Sequence, residues 1–340
     1  MKSKKLLFFY ILVLFLLFLK IDFRITNDLN CCGDDYDYFS HAVTIGEDFD
    51  FDYSNQLPNK SRFFRNNKDA PFGFVGTGLL SSPFVLFGNI LDYIFGDLGE
   101  SGASFKILLY SFSSIFYFLF ALYLLKQISL YFEVNFNYLH YFLGSGIIYY
   151  VFERYSMTPI YEVFTILLII LLTINFIKDQ AKIKQYSLLI PLSMLLAILV
   201  RWTNLFVLLI PAIIILTSDD YKNLFKKITN KYFVISSIAS LGLFALHSKL
   251  IYGVITFSPS YVYMVDEFDN LVQVNLFNNF FGFVSDFFSD LLVILFSQEF
   301  GLFWFNPILF FGTTAIVAGI FVAKSARQKL CTSYSSCVLQ

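Results

Sequence analysis

Three carboxylates fall within four positions, at Asp34, Asp35 and Asp37, about a dozen residues after the first long apolar run. Charge beside a hydrophobic segment is costly to bury, so such groups are either well solvated or put to use. Further acids follow at Glu47, Asp48, Asp50 and Asp52, with His41 between the two sets. A carboxylate in this setting can take the proton of an acceptor hydroxyl as a general base. Several together offer the hard oxygen ligands that Mg or Mn prefers. The opposing interpretation is a solvated acidic loop with no chemical task.

A second group follows at Glu153-Arg154, between two apolar runs. Pro159 then suits the first turn of a helix, and Glu162 falls one turn inside it. Glu153 is a candidate metal or substrate ligand, and Glu162 a candidate substrate-binding carboxylate facing a cavity. Arg154, with its planar fork, suits a phosphate. Alternatively, an ion pair of Arg154 with Glu162, or of Glu153 with an arginine, ties helix ends together. Arg201 interrupts the apolar stretch 187–217 beside Trp202 and Asn204. It is a phosphate or pyrophosphate ligand or, with Trp202, an interfacial anchor.

His41 lies about two helical turns after Asp34, within reach of the same site, whereas His140 and His247 suit packing or interface roles. Gly76-Thr77-Gly78 is no phosphate loop, because no Gly-Lys-Ser/Thr follows. Cys31-Cys32, Cys331 and Cys337 suggest neither a disulfide framework nor a metal-binding spacing.

The elements that must position these residues are membrane helices. Of 340 residues, 57% are hydrophobic and 14% charged, with a mean hydropathy of +0.66, far from the balance of a soluble domain. The 45 Phe and 22 Tyr suit interfacial belts repeated over many spans. A net charge of −1 gives no reason to expect a nucleic-acid partner. The fold class is therefore all-α, a polytopic transmembrane bundle. Candidate spans are 6–21, 105–126, 139–152, 159–177, 187–200, 202–217, 232–251 and 302–323. Lys2, Lys4 and Lys5 precede the first, which reads as an uncleaved span because no small-x-small cleavage site follows it. Lysines at 178–184, at 222–231 and after 323 share one side only if the segment 78–95 does not cross. That segment is then a re-entrant or surface-lying helix of the long first outer loop, 22–104. The result is about eight spans with both ends cytoplasmic. The core is 1–323, and the polar tail 324–340 is a cytoplasmic stub or a chain end cut short.

Gly33-Asp34-Asp35-Tyr36 after a first span, then Gly76-Thr77-Gly78-Leu79-Leu80-Ser81-Ser82-Pro83-Phe84 and Gly301-Leu302-Phe303-Trp304-Phe305-Asn306-Pro307, resemble the bacterial GT-C superfamily. Its members are integral-membrane glycosyltransferases using polyprenyl-phosphate sugars, similar to the protein mannosyltransferase and aminoarabinose transferase groups. The resemblance implies an inverting transfer to a lipid, glycan or protein acceptor on the outer face of the inner membrane. It implies an acid at the start of the first outer loop as base or metal ligand, mapping to Asp34 or Asp35. A further acid of the second outer loop maps to Glu153. In this scheme Asp34 is the base, and Asp35 and Glu153 orient the acceptor or hold a divalent Mg or Mn. Arg201 and Arg154 hold the donor phosphate, with His41 and Glu162 beside them. Besides a non-catalytic membrane scaffold, two other functional classes compete. One is an envelope polysaccharide polymerase or ligase. The other is a secondary transporter, which would show Gly- or Pro-broken spans in matching halves; Pro191 and Pro211 have no such match.

Overall fold

The computed structural model describes residues 33–57, 64–65, 68–96, 104–133, 146–216, 223, 228, 230–255, 292–293 and 295–297. The chain divides into two compact units, Met1–Asp266 and Glu267–Gln340. In the second, the few described residues include a helical turn in which the Ser297 N–H donates to Val293 O at 2.9 Å. The expected spans 6–21 and 302–323 and the 323/324 boundary lie outside the described residues, as do Cys31, Cys32, His140, Cys331 and Cys337.

The first unit is mostly helical. α1 covers Gly33–Val43 and runs into a π-helical turn, Thr44–Asp48. β1 (Phe64–Arg65) and β2 (Lys68–Asp69) form a short antiparallel ladder. Then come α2 (Gly76–Phe95), α3 (Phe105–Tyr131), α4 (Ile147–Phe152), α5 (Pro159–Lys178) and α6 (Ile183–Val200). A 3-10 turn, Trp202–Leu208, leads to α7 (Leu209–Leu216), and α8 covers Lys231–Tyr252.

Five of these, α2, α3, α5, α6 and α8, are long and apolar enough to cross a membrane. The run 202–217 is not one α-helix. The Pro211 ring would clash with the carbonyl four residues earlier, so α-helical geometry begins only at Leu209, within the proline's own first turn. Of the expected span 139–152, α4 is the described helical part. α2 is one continuous helix over the segment expected to lie on the outer side.

α2 survives an internal proline because its own sequence compensates. Pro83 cannot donate to Leu79 O, and the Ser82 hydroxyl donates to that carbonyl instead, at 2.9 Å. The buried side of α2 consists largely of small residues: Gly76, Thr77, Gly78, Ser81, Ser82, Val85 and Gly88. Such a side lets other backbones approach closely. A Cβ on Gly78 would stand 2.2 Å from the His41 Cβ, and one on Gly76 would stand 2.3 Å from the Val200 nitrogen. α1 is thereby seated on α2, and the start of α2 meets the end of α6.

The rest of the bundle is joined by hydroxyls and apolar contacts. α3 lies antiparallel to α2, with the Tyr117 hydroxyl donating to Leu80 O at 2.9 Å. Ser113 Oγ and the Tyr161 hydroxyl share a hydrogen bond of 2.7 Å between α3 and α5, and Ser114 donates to Val151 O of α4 at 2.7 Å. Tyr117, Phe118, Ala121, Val151, Tyr161, Phe164 and Val200 form the main apolar core. α6 returns antiparallel to α5, and α8 runs parallel to α6, with Ser236 donating to Leu188 O at 2.7 Å. Asn230 caps α8 by accepting from the Tyr232 and Phe233 N–H groups at 2.8 and 3.0 Å.

One carboxylate fastens the α2–α3 hairpin. Asp92, in the last turn of α2, accepts from the N–H groups of Phe105 and Lys106 at 2.6 and 2.9 Å. It satisfies two otherwise orphaned donors and places negative charge at the positive end of the α3 dipole. Asp92→Ala is expected to lower stability by about 1–2 kcal/mol, read as a drop in the unfolding midpoint of the detergent-solubilised protein.

Candidate functional site

The first turn of α1 separates two neighbouring acids. Asp34 is exposed, whereas Asp35 is 2% exposed. Successive helical positions point about 100° apart, so one acid can face out while the next turns into the bundle. The negative charge of both is favoured at a helix N-terminus. Asp37 is also fully buried.

Asp35 Oδ2 lies 3.3 Å from Arg154 Nη2. Arg154 comes from the turn between α4 and α5, where its N–H donates to Tyr149 O at 3.0 Å and its carbonyl accepts from Met157 at 3.0 Å. Tyr155 follows, fully buried, its ring edge-on to Tyr110 at 5.9 Å and packed with Ala42 and Val43 of α1. The same turn thus supplies the cation that neutralises Asp35 and the aromatic that seats α1.

A second ion pair joins α5 to the turn after α6. Glu162 Oε1 is 3.2 Å from Arg201 Nη1 and accepts from the Thr158 hydroxyl at 2.6 Å. The Arg201 side chain is 50% exposed. Its extended backbone marks the reversal between α6 and the 3-10 turn. The contemplated pair of Arg154 with Glu162 does not form; Arg154 goes to Asp35 and Glu162 to Arg201. Spacing about the hairpin could have shown the second. Glu162 and Arg201 lie about twenty residues to either side of the 3-10 turn Gln180–Lys182, so antiparallel helices bring them level.

The residues proposed for a divalent metal, Asp35 and Glu153, belong to no ligand set of three: among the described residues no three His, Cys, Asp or Glu side chains gather as metal ligands. Asp35 has the Arg154 guanidinium beside it. Glu153 is half-buried.

His41 is fully buried, whereas Asp34 is exposed. Its Nε2 lies 3.3 Å from Gly73 O and its Nδ1 lies 2.7 Å from the Tyr53 hydroxyl. A carbonyl can only accept, so Nε2 carries the proton and Nδ1 accepts from Tyr53. The Tyr252 hydroxyl donates to the same Gly73 carbonyl at 2.7 Å. Lys68 Nζ donates to Leu250 O at 2.6 Å. His41 therefore ties α1 to the first loop, and Gly73 O and Lys68 tie that loop to the end of α8. Tyr53, Gly73 and Tyr252 were not recognised in sequence; Gly73 and Tyr252 are 179 positions apart, and no local pattern links them.

Desolvation lowers the His41 pKa to about 3, against the opposing pull of Gly73 O. No protein-family model matches the sequence, and neither a curated protein nor a solved structure matches it.

Arg154→Ala removes the guanidinium from beside the buried Asp35 and is expected to cost about 2–4 kcal/mol. Asp35→Asn combined with Arg154→Gln should cost less than the sum of the single changes in a double-mutant cycle. Because folding holds His41 neutral, its contribution is fully present above pH 6.5 and is lost as pH falls towards about 3. Between pH 6.5 and 5 this amounts to up to about 2 kcal/mol, and unfolding midpoints of the wild type should fall over that interval more steeply than those of His41→Gln.

Proposed function

We propose that this chain is a membrane glycosyltransferase of the GT-C type, moving a sugar from a polyprenyl-phosphate donor to a hydroxyl of a lipid, glycan or protein acceptor. The observation that carries this proposal is the division of labour in the first turn of α1. Asp34 is exposed and available as a base, while its neighbour Asp35 is held by Arg154. The half-exposed Arg201 guanidinium lies at the same end of α5 and α6 as the turn that bears Arg154.

In the proposed step the acceptor oxygen attacks the anomeric carbon while Asp34 takes its proton. The bond from that carbon to the phosphate oxygen breaks with inversion, and the electron pair leaves with the phosphate. Arg201 stabilises the departing charge. Asp35 acts through Arg154 by holding it in place. Glu162 does the same for Arg201, and His41 supports α1 from behind.

The helix α2 suits the outer surface of this enzyme better than a crossing. It starts level with the end of α6, at Gly76 and Val200. From there it runs antiparallel along the first half of α3, its Gly88 backing onto Lys106. α5, by contrast, accompanies the second half of α3, from Tyr161 beside Ser113 to Lys178 over Tyr131. α2 is thus displaced outward along the bundle. Its exposed Phe87, Tyr93 and Phe95 fit a headgroup layer. With the lysine asymmetry, this favours an active site on the outer face of a bacterial inner membrane and a cytoplasmic Lys178 end.

The test is transfer of label from a polyprenyl-phosphate sugar by the full-length protein in membranes. Asp34→Asn should lower the turnover by at least about 10²-fold without loss of protein from the membrane. Arg201→Ala should chiefly raise the KM for the donor. Full turnover in Asp34→Asn would sink the assignment.

A further inference from the structure

At the opposite end of α5 from Glu162, a cavity of about 360 Å³ opens between α3 and α5. Its polar lining comprises Tyr123, Gln127, Tyr131, Asn175 and Lys178, and Leu171 forms apolar wall. Lys178 Nζ is held 4.0 Å from the centre of the Tyr131 ring, an arrangement that keeps an ammonium at the cavity edge. Among the described residues, other charges towards this end are Lys126, Lys182, Lys184, Lys231, Glu133 and Asp179, of which Asp179 pairs with Lys182 at 3.8 Å. The balance is positive, and the lining is rich in hydrogen-bond donors.

The cavity does not stand alone. An apolar aromatic stripe leads to it along one side of α3. Phe116, Phe120 and Tyr123 are 49%, 37% and 54% exposed. Their rings follow one another at 6.1 and 6.2 Å between centres. Spacings of four and three residues place them on a single helix face. Tyr123 ends the stripe and lines the cavity. A polar, positively charged pocket at the foot of an exposed apolar track matches an amphiphile with an anionic head and a long acyl chain.

We infer that this cavity binds the headgroup of an anionic phospholipid, with the phosphate on Lys178, headgroup hydroxyls on the Gln127 and Asn175 amides, and one acyl chain along Phe116 and Phe120. A basic pocket between membrane helices is suited to such a lipid. The site is separate from the proposed transfer chemistry and requires only that the bundle sit in a bilayer.

The test is native mass spectrometry of the full-length protein in detergent, titrated with phosphatidylglycerol and, separately, with inorganic phosphate. One tightly bound phosphatidylglycerol is expected. Lys178→Ala and Gln127→Leu should each weaken it by at least about fivefold, whereas Lys178→Arg should retain it. Lys184→Ala, outside the cavity, should leave it unchanged. An equal loss from Lys184→Ala would indicate diffuse attraction and overturn the site. So would wild-type affinity in Lys178→Ala, or displacement of the lipid by inorganic phosphate at equal concentration. A thermal midpoint for lipid-free Lys178→Ala equal to that of the lipid-free wild type separates lost binding from lost folding.

Discussion

A buried carboxylate needs a cation, and Asp35 obtains one from a turn more than a hundred residues away. Removing that charge from water would be prohibitive without Arg154, so the contact fixes where α1 must sit against the bundle. Tyr155, one residue further on, adds the apolar half of the same attachment. Once Asp35 is turned inward, helical geometry leaves Asp34 outside. The ion pair therefore acts on the candidate chemistry indirectly, by fixing which of two adjacent acids meets a substrate.

That attachment would fail if α2 were bulky. His41 and the backbone after it lie against Gly78, and a side chain there would displace the helix that carries Asp35. Small residues, a proline and a compensating serine give α2 a narrow side without breaking its hydrogen bonding. A second tie runs through Gly73 O, which accepts from both His41 and Tyr252. α1 is thus held on three sides, by an ion pair, by close backbone packing and by a shared carbonyl. In an apolar setting each such group needs an internal partner, and that requirement makes the first loop an integral part of the bundle.

Much of the helical framework was legible because hydropathy is a local signal. The run 159–177 became α5 within a residue, and 232–251 became α8 with one more residue at each end. The end of 187–200 was also right, while its start moved four residues earlier to follow the 3-10 turn. The run 202–217 misled because composition cannot register what Pro211 does to the turn before it. Of the candidate site, the separate groups were found at Asp34–Asp35, Glu153–Arg154, Glu162 and Arg201. Their pairing was not, since each acid had more than one plausible arginine.

Sequence by itself determined that this is an apolar helical chain with acids clustered after the first apolar run and arginines at later turns, because these are properties of composition and spacing. Tertiary structure decided what each charge does. Asp35 went to Arg154, Glu162 to Arg201, His41 into two buried hydrogen bonds, and Asp34 to the surface. The reason is physical: solvation and pairing depend on distances across helices, and a linear sequence carries those distances only where, as in the α5–α6 hairpin, the turn between partners can be located.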